Sequence, residues 1–141
     1  MKNIAVVYWS QTGNTEAMAN YLVDGLQNAG ATVSLFNVNE FVIDQVDSFD
    51  AIAFGCPAMG AEVLEEMEFQ SMWDEVSNLI ADKKIALFGS YDWGDGEWMR
   101  NWAQDALDKG AILVAEPVIA NLTPEAEAIE QLLALAEALV N

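Results

Sequence analysis

Short apolar runs alternate along this chain with stretches of helical periodicity, and this alternation limits the fold more than any other feature. Five apolar runs predict strands, at about Asn3 to Trp9, Thr32 to Asn37, Ala51 to Gly55, Lys84 to Ser90 and Ile112 to Ile119. Continuous apolar runs of this length are typical of strands that are buried on both faces of a parallel sheet. Because Pro117 lies inside the fifth run, we expect that strand to be bent or split there.

Four helices are predicted between and after these strands. They cover Glu16 to Asn28, Glu68 to Ile80, Glu97 to Lys109, and a last stretch from Thr123 to about Val140. The first helix places Met18, Leu22 and Leu26 on one face. The last helix begins with Thr123 as its predicted N-cap and Pro124 at its first helical position. The segment from Asn39 to Phe49 is expected to be a loop with one helical turn.

Strands that alternate with helices predict an α/β fold, a doubly wound five-stranded parallel sheet with helices on both faces. The expected strand order is 2-1-3-4-5, in which a ligand binds where the winding direction changes, at the carboxyl ends of strands 1 and 3. The 141 residues are enough for a single domain, residues 1–141, with its own hydrophobic core.

A loop rich in hydroxyl groups, Ser10-Gln11-Thr12-Gly13-Asn14-Thr15, joins the first predicted strand to the first helix. Open backbone N–H groups and the positive end of the helix dipole favour an anion at such a junction. The loop contains no Lys or Arg, and neither the Walker A pattern nor the G-x-G-x-x-G pattern occurs in it. Its residues are equally compatible with a site for a single phosphate and with an ordinary N-capped turn.

Two further loops follow the third and fourth predicted strands. They are Gly55-Cys56-Pro57-Ala58-Met59-Gly60-Ala61-Glu62 and Gly89-Ser90-Tyr91-Asp92-Trp93-Gly94-Asp95-Gly96. The predicted topology brings both loops to the same sheet edge as the hydroxyl-rich loop. Met59 and Trp93 offer a thioether and an aromatic plane to a flat apolar ligand, with packing into the core as the alternative. Gly60 stands at the first central position of a turn, where glycine readily supplies a positive φ.

The three loops, in this order and at this spacing, resemble the FMN-binding loops of flavodoxins, and the chain is most similar to the short-chain flavodoxins of anaerobic bacteria. The resemblance covers essentially the whole chain and implies a noncovalently bound FMN whose phosphate lies at the first loop. The cofactor-binding residues that it implies are Ser10, Gln11, Thr12, Gly13, Asn14, Thr15, Pro57, Ala58, Met59, Gly60, Ala61, Glu62, Ser90, Tyr91, Asp92, Trp93 and Gly94.

The resemblance also implies a role for individual residues. Met59 and Trp93 would stack on opposite faces of the flavin ring, and the Gly60 carbonyl would accept the proton that flavin N5 gains on one-electron reduction. Glu62 would accept a hydrogen bond from flavin N3–H, with an exposed surface carboxylate as the alternative. The implied function is that of a low-potential one-electron carrier, not an enzyme, which cycles mainly between semiquinone and hydroquinone and is able to replace ferredoxin.

The net charge of −18, from 23 acidic and 5 basic residues, bears on the partners. Such a surface would repel nucleic acid and anionic membranes and would steer a basic protein face towards it. We expect redox partners with basic docking faces, such as ferredoxin-type reductases and oxidoreductases, although solubility alone also accounts for an acidic surface. The acidic run from Glu65 to Glu68 is expected to be the solvated start of the second helix.

Several other classes of protein are excluded by residues that the chain lacks. It contains one cysteine, Cys56, and no histidine, which excludes an internal disulfide and argues against a zinc site or a Cys–His nucleophile. A single cysteine is compatible with the reducing cytoplasm, where we expect the protein to be located. We also expect it to be a monomer. No apolar run is long enough to span a membrane, and no signal peptide is apparent.

Three alternative functions share this fold. A signalling receiver domain needs carboxylates at the ends of strands 1 and 3, and those ends are Tyr8-Trp9-Ser10 and Phe54-Gly55-Cys56. A scaffold that has lost its cofactor would not need the hydroxyls of the first loop. An FMN-dependent NAD(P)H or quinone reductase remains the main alternative to an electron carrier.

Overall fold

A computed structural model describes residues 2–60 and 62–141, and it confirms the predicted fold class. The strands are β1 (Asn3–Tyr8), β2 (Thr32–Asn37), β3 (Ala51–Gly55), β4 (Lys84–Tyr91), β5 (Ile112–Leu113) and β6 (Val118–Asn121). The helices are α1 (Asn14–Asn28), α2 (Phe69–Val76), α3 (Glu97–Asp108) and α4 (Ala126–Val140). The sheet has the order β2-β1-β3-β4-β5, and β6 also pairs with β4.

All strand pairs within the described residues are parallel, and β1 lies between β2 and β3. Ile4 in β1 is in register with Val33 in β2 and with Ala51 in β3. Every residue of β3 is buried, as expected for a strand covered by helices on both sides. The carboxyl ends of β1, β3 and β4 therefore meet at one edge of the sheet.

The fifth predicted strand is split, as its proline indicates. Its two parts, β5 and β6, pair with opposite ends of β4: Ile112 is in register with Lys84, and Val118 with Phe88. Pro117 lies in the gap between them, where the missing N–H group interrupts no ladder hydrogen bond.

Helices cover both faces of the sheet and form two separate cores. On one face, α1 and α4 pack together, and Met18, Leu22 and Leu26 are fully buried beneath them. On the other face, α2 and α3 bury an aromatic cluster in which Trp73 and Trp102 meet edge to face with ring centroids 5.6 Å apart. The predicted amphipathic faces are thus the ones that the fold buries.

The bounds of several helices differ from the predictions. α1 begins at Asn14, two residues early, because Gly13 takes a left-handed conformation with φ 96° just before it. α2 ends at Val76 and continues as one 3₁₀ turn, Ser77–Leu79, so that Ile80 is buried and Leu79 is exposed. The predicted loop from Asn39 to Phe49 contains two 3₁₀ segments, of which one overlaps its start: Val38–Glu40 and Ile43–Ser48.

The predicted N-cap of the last helix is wrong. α4 begins only at Ala126, after Glu125 in an extended conformation, and the Thr123 hydroxyl donates instead to Asn14 Oδ1 at 3.4 Å. Thr123 therefore connects the start of α4 to the start of α1. None of the helices in the described part of the chain has the length and apolar character required to cross a bilayer.

Candidate cofactor-binding site

A cleft of about 230 Å³ opens at the carboxyl edge of the sheet, between the three predicted loops. It is lined by Ser10, Gln11, Thr12, Asn14, Thr15, Pro57, Ala58, Met59, Gly60, Ser90, Tyr91, Asp92, Trp93 and Leu122. Among the predicted site residues, Gly13, Glu62 and Gly94 do not line it, and Ala61 lies outside the described residues. The fold thus brings the three loops together around one space.

The first loop is held by one of its own hydroxyls. Ser10 Oγ accepts hydrogen bonds from the backbone N–H groups of Gly13, at 3.2 Å, and Glu16, at 3.3 Å. Ser10 therefore caps the helix, and its hydroxyl hydrogen remains available to a ligand. Asn14 and Thr15 are the first residues of α1, so their N–H groups have no acceptor within the helix.

The first loop is joined to β4 through two buried hydroxyls. Thr15 Oγ1 lies 2.9 Å from Ser90 Oγ and accepts a further hydrogen bond from the Ser90 N–H group at 3.3 Å. Both residues are almost fully buried and both line the cleft. The donors of this part of the cleft are neutral, since the loop has no basic residue.

The second loop forms a hairpin that closes between Met59 and Val63. Their backbones exchange two hydrogen bonds, of 2.8 and 3.0 Å, around the predicted turn. Gly60 has φ +50°, as predicted, and a Cβ atom added to it would meet no atom within 4 Å. The base of the loop is fixed to β4 by the hydrogen bond from the Ala58 N–H group to the Ser90 carbonyl, at 3.0 Å.

The third loop presents an indole to solvent. Trp93 is 63% exposed, so the alternative of core packing is wrong for this residue. Tyr91 instead packs inward against Trp98, with ring centroids 5.7 Å apart. The loop is anchored by Asn121, whose side-chain amide donates to the carbonyls of Tyr91 and Asp92, both at 3.2 Å.

Sequence reasoning did not identify Leu122 as a lining residue. Leu122 is 47% exposed and has φ +59°, and its N–H group donates to the Tyr91 carbonyl at 2.8 Å. The signal that could have identified it is its position three residues after the fifth predicted strand, whose carboxyl end also faces this edge.

Glu62 lies beside the cleft rather than in its wall. Its carboxylate is half-buried against Gly94, at which any side chain would overlap it. Gly94 therefore allows the second and third loops to meet. Glu62 Oε1 is buried and has no hydrogen-bond partner among the described residues, and Glu62 lines an adjoining cavity whose other lining residues lie mainly in α2 and α3.

The acidic run before α2 is only partly solvated. Glu66 and Glu68 are exposed as expected, but Glu65 is 6% exposed and accepts hydrogen bonds from the N–H groups of Met67, Glu68 and Phe69 at 2.7–2.8 Å. Burial by itself raises the pKa of the Glu65 carboxyl, but the three backbone donors outweigh it and leave that pKa below its usual value. The expectation of a solvated Glu65 is therefore wrong. Its negative charge is buried and is stabilised by the backbone N–H groups before and at the start of α2.

Cys56, directly after β3, has no reactive environment. Its side chain is fully buried, and burial raises the pKa of its thiol far above the usual value. The sulfur accepts a weak hydrogen bond from the Glu65 N–H group at 3.4 Å. Cys56 is thus a packing residue at the base of the second loop.

The arrangement fits FMN. A phosphate would be received by the open N–H groups and hydroxyls at the start of α1, where the helix dipole also favours an anion. A flat ring would find the exposed indole of Trp93 and the thioether of Met59, from two different loops, in the lining of one cleft. Asp92 in the cleft wall is exposed, as is Asp95 further along the same loop, which pairs with Arg100 at 3.0 Å; Glu66, four residues after the second loop, is exposed as well.

Comparisons with known proteins agree with this geometry. Residues 6–134 match the family model described as Flavodoxin. The chain is 45% identical to a flavodoxin of Clostridium beijerinckii over 120 residues, which are 85% of this chain and 87% of the relative. It is 40% identical to a flavodoxin of Megasphaera elsdenii over 129 residues, 92% of this chain and 94% of the relative. The solution structure of two-electron reduced M. elsdenii flavodoxin matches with a TM-score of 0.89 at 41% identity, covering 96% of this chain and 97% of that one.

Proposed function

The chain belongs to the flavodoxin family, whose members are FMN-binding electron carriers rather than enzymes, and we propose that it is a low-potential carrier of single electrons. In this proposal it cycles mainly between the semiquinone and the hydroquinone of FMN and is able to replace ferredoxin. The observation that carries the proposal is the cleft in which a loop of neutral donors faces an exposed indole.

The phosphate of FMN would be held by the loop from Ser10 to Thr15. Its open N–H groups, together with the hydroxyls of Ser10, Thr12 and Thr15, offer several donors and no positive side chain. Hydrogen bonds to a charged acceptor are each worth about 1.5–3 kcal/mol. A terminal phosphate would therefore contribute much of the affinity, and FMN would be preferred to riboflavin and FAD.

The flavin ring would lie between the second and third loops. Met59 and Trp93 are the proposed stacking residues, the Gly60 carbonyl the proposed acceptor for N5–H, and Glu62 the proposed acceptor for N3–H. Gly60 supports this role because glycine adopts its positive φ without strain. FMN supplies the redox chemistry when bound, and the chain contributes binding and electrostatics.

The carboxylates near the cleft would set a low potential. Full reduction places a negative charge on the cofactor, and Asp92 in the cleft wall and Glu62 beside it would repel that charge. Among the described residues, no basic side chain lines the cleft that could compensate this negative charge. The last electron would therefore be held weakly, and the fully reduced protein would be a strong reductant.

The surface charge supports partners with basic docking faces. Asp92 lines the cleft and is exposed, and the exposed Asp95 belongs to the same loop, so a basic redox protein would be steered to the cofactor edge. The same charge disfavours nucleic acid and anionic membranes as partners. In this proposal residues 1–141 act as one FMN-binding domain, as a monomer in the cytoplasm.

Stepwise reduction of the purified protein, followed by its visible spectrum, tests the proposal. We expect one FMN per chain and two separate one-electron steps. Direct reduction by NADPH with multiple turnovers would instead identify a reductase, and a protein that binds no flavin would contradict the carrier function altogether.

A further inference from the structure

A second cavity, of about 300 Å³, lies behind the second loop, between that loop and helices α2 and α3. Glu62 and Trp102 both line it. Trp102 is 3% exposed, and its indole Nε1–H has no acceptor; Glu62 Oε1 is buried and has no donor. These two are the buried side-chain N and O atoms left without a partner in the described part of the chain, residues 2–60 and 62–141.

An unpaired buried donor and an unpaired buried acceptor each carry a desolvation penalty, and the penalty is larger for a charged group. The unpaired donor belongs to Trp102 of α3 and the unpaired acceptor to Glu62 of the second loop, and both residues line the same cavity. A hydrogen bond between the two would remove both penalties at once.

Apart from Asn101, the other polar side chains that line this cavity are already engaged. Trp73 Nε1 donates to Asp105 Oδ2 at 2.8 Å, and Trp98 Nε1 donates to the Cys56 carbonyl at 3.2 Å. Asp74, an acidic residue of α2 that also lines the cavity, accepts a hydrogen bond from the Gln70 side-chain amide at 2.8 Å. Glu62 is therefore the carboxylate of this cavity that has no donor.

Asn101, which also lines the cavity, is not a suitable acceptor for this indole. It directly precedes Trp102 in α3, and adjacent residues of a helix do not face each other. Its side chain is also exposed, so water can satisfy it.

We propose that Trp102 is a positioning residue for Glu62: its indole N–H donates to Glu62 Oε1 and so directs Oε2 towards the cofactor. The part that concerns the cofactor rests on the proposed function, in which Glu62 accepts flavin N3–H. A carboxylate fixed by one donor has fewer orientations to lose when the second donor arrives, so the cofactor contact becomes stronger. The role belongs to the nitrogen of Trp102. A phenylalanine there would keep an aromatic ring in the cluster but remove the donor together with part of the indole, so a control variant must carry the same loss of volume.

Hydrogen exchange of the indole N–H groups tests the bond between Trp102 and Glu62 in the cofactor-free protein. Two-dimensional NMR of ¹⁵N-labelled protein resolves one signal for each of the five tryptophans. In Glu62→Ala, we expect exchange at Trp102 to become about tenfold faster, as the loss of one hydrogen bond implies. The signals of Trp73 and Trp98, which have other acceptors, should keep their rates and serve as internal controls. Unchanged exchange at Trp102 would overturn the proposal.

The consequence for the cofactor is tested with a flavin that lacks the N3 proton. The affinity for FMN is divided by the affinity for 3-methyl-FMN, in wild type and in Trp102→Phe. We expect the ratio to fall by about threefold or more in Trp102→Phe. The matched control is Trp73→Phe, the same substitution at another buried tryptophan that lines the cavity, which should leave the ratio unchanged.

The two measurements separate failure of this inference from failure of the proposed role of Glu62. A wild-type protein that binds both flavins equally would show that Glu62 does not accept N3–H, and the cofactor part of the inference would fall with that role. The exchange rates would still decide whether Trp102 donates to Glu62. If the ratio of the two affinities falls equally in Trp102→Phe and Trp73→Phe, the positioning role is overturned, and the packing around the cavity has become looser in both variants.

Discussion

Thr15 Oγ1 and Ser90 Oγ lie 2.9 Å apart although 75 residues separate them along the chain. The contact joins the first turn of α1 to the end of β4, and both residues line the cleft. Because each hydroxyl carries one hydrogen, only one of them is used in this contact, and the other is free for a ligand. The pair therefore connects the proposed phosphate loop to the loop proposed to hold the ring.

Thr15→Val should weaken FMN binding much more than riboflavin binding. Valine retains the buried shape of Thr15 but removes a hydroxyl that we expect to serve the phosphate. The loss of one hydrogen bond to a charged group, about 1.5–3 kcal/mol, corresponds to about a tenfold to a hundredfold loss of affinity for FMN. Fluorescence titration of both flavins measures this. Riboflavin is the control, and an equal loss for both flavins would show that Thr15 acts only on the fold.

Glu65→Gln should destabilise the protein, and the effect should depend on pH. The pKa of Glu65 is lower in the folded protein than its usual value of 4.5, so its charge stabilises the fold above that value. This contribution is lost as the pH falls through the lowered pKa. We expect a deficit of about 1.5–3 kcal/mol in the free energy of unfolding at pH 7, which shrinks at lower pH.

Urea unfolding of the cofactor-free protein at several pH values measures the Glu65 effect. Glu66→Gln is the matched control, because Glu66 is the exposed neighbour in the same acidic run. It should change the free energy of unfolding by less than about 0.5 kcal/mol. A deficit in Glu65→Gln that is the same at every pH would contradict the role of the charge.

The predicted parts of the fold are those that local patterns determine. Strand bounds follow from apolar runs, and the split of the fifth strand follows from Pro117 because a missing N–H group is a local property. The buried face of α1 follows in the same way from the spacing of Met18, Leu22 and Leu26. The positive φ of Gly60 was also predictable, since a turn determines it within four residues.

The features that sequence reasoning missed depend on contacts between distant segments. Thr123 has the chemistry of an N-cap, but its hydroxyl bonds to Asn14 across the fold. Glu65 belongs to an acidic run, yet three backbone donors that turn back on it make its burial possible. The cavity shared by Glu62 and Trp102 exists only because the second loop packs against α3, which no local pattern indicates.

Electron transfer to a basic partner should become slower as salt is added. The screening length shrinks from about 30 Å at 0.01 M to about 8 Å at physiological ionic strength, which weakens steering by exposed carboxylates. Stopped-flow measurement of the second-order rate at several salt concentrations checks this. A rate that does not depend on ionic strength would remove the argument for an acidic docking face.

The location of the docking face is tested by two matched substitutions. Asp92→Asn removes a charge at the cleft, whereas Asp82→Asn removes an exposed charge just before β4, at the opposite edge of the sheet. At low salt, we expect Asp92→Asn to slow the reaction with a basic partner more than Asp82→Asn does. Equal effects would mean that net charge, and not a local face, directs the encounter.

Gly60→Thr should destabilise the one-electron-reduced state and leave FMN bound. A threonine at φ +50° meets no atom within 4 Å of its Cβ, so the cost is backbone strain, of about 1–3 kcal/mol, rather than a clash. Rotation of the peptide that places the Gly60 carbonyl near N5 would add to that strain. Since about 1.4 kcal/mol changes an equilibrium tenfold, less radical should accumulate at half reduction, and the two one-electron potentials should approach each other.

The matched control for Gly60→Thr is Gly30→Thr, in the turn between α1 and β2. Gly30 has φ +90°, and a Cβ atom there also meets nothing within 4 Å, but the residue lies away from the cleft. Both variants place a threonine at a positive φ, so both should lose stability, and only Gly60→Thr should change the redox titration followed by absorbance. If Gly60→Thr accumulates the same radical fraction as wild type, the glycine serves only to form the turn, and the proposed role of its carbonyl is wrong.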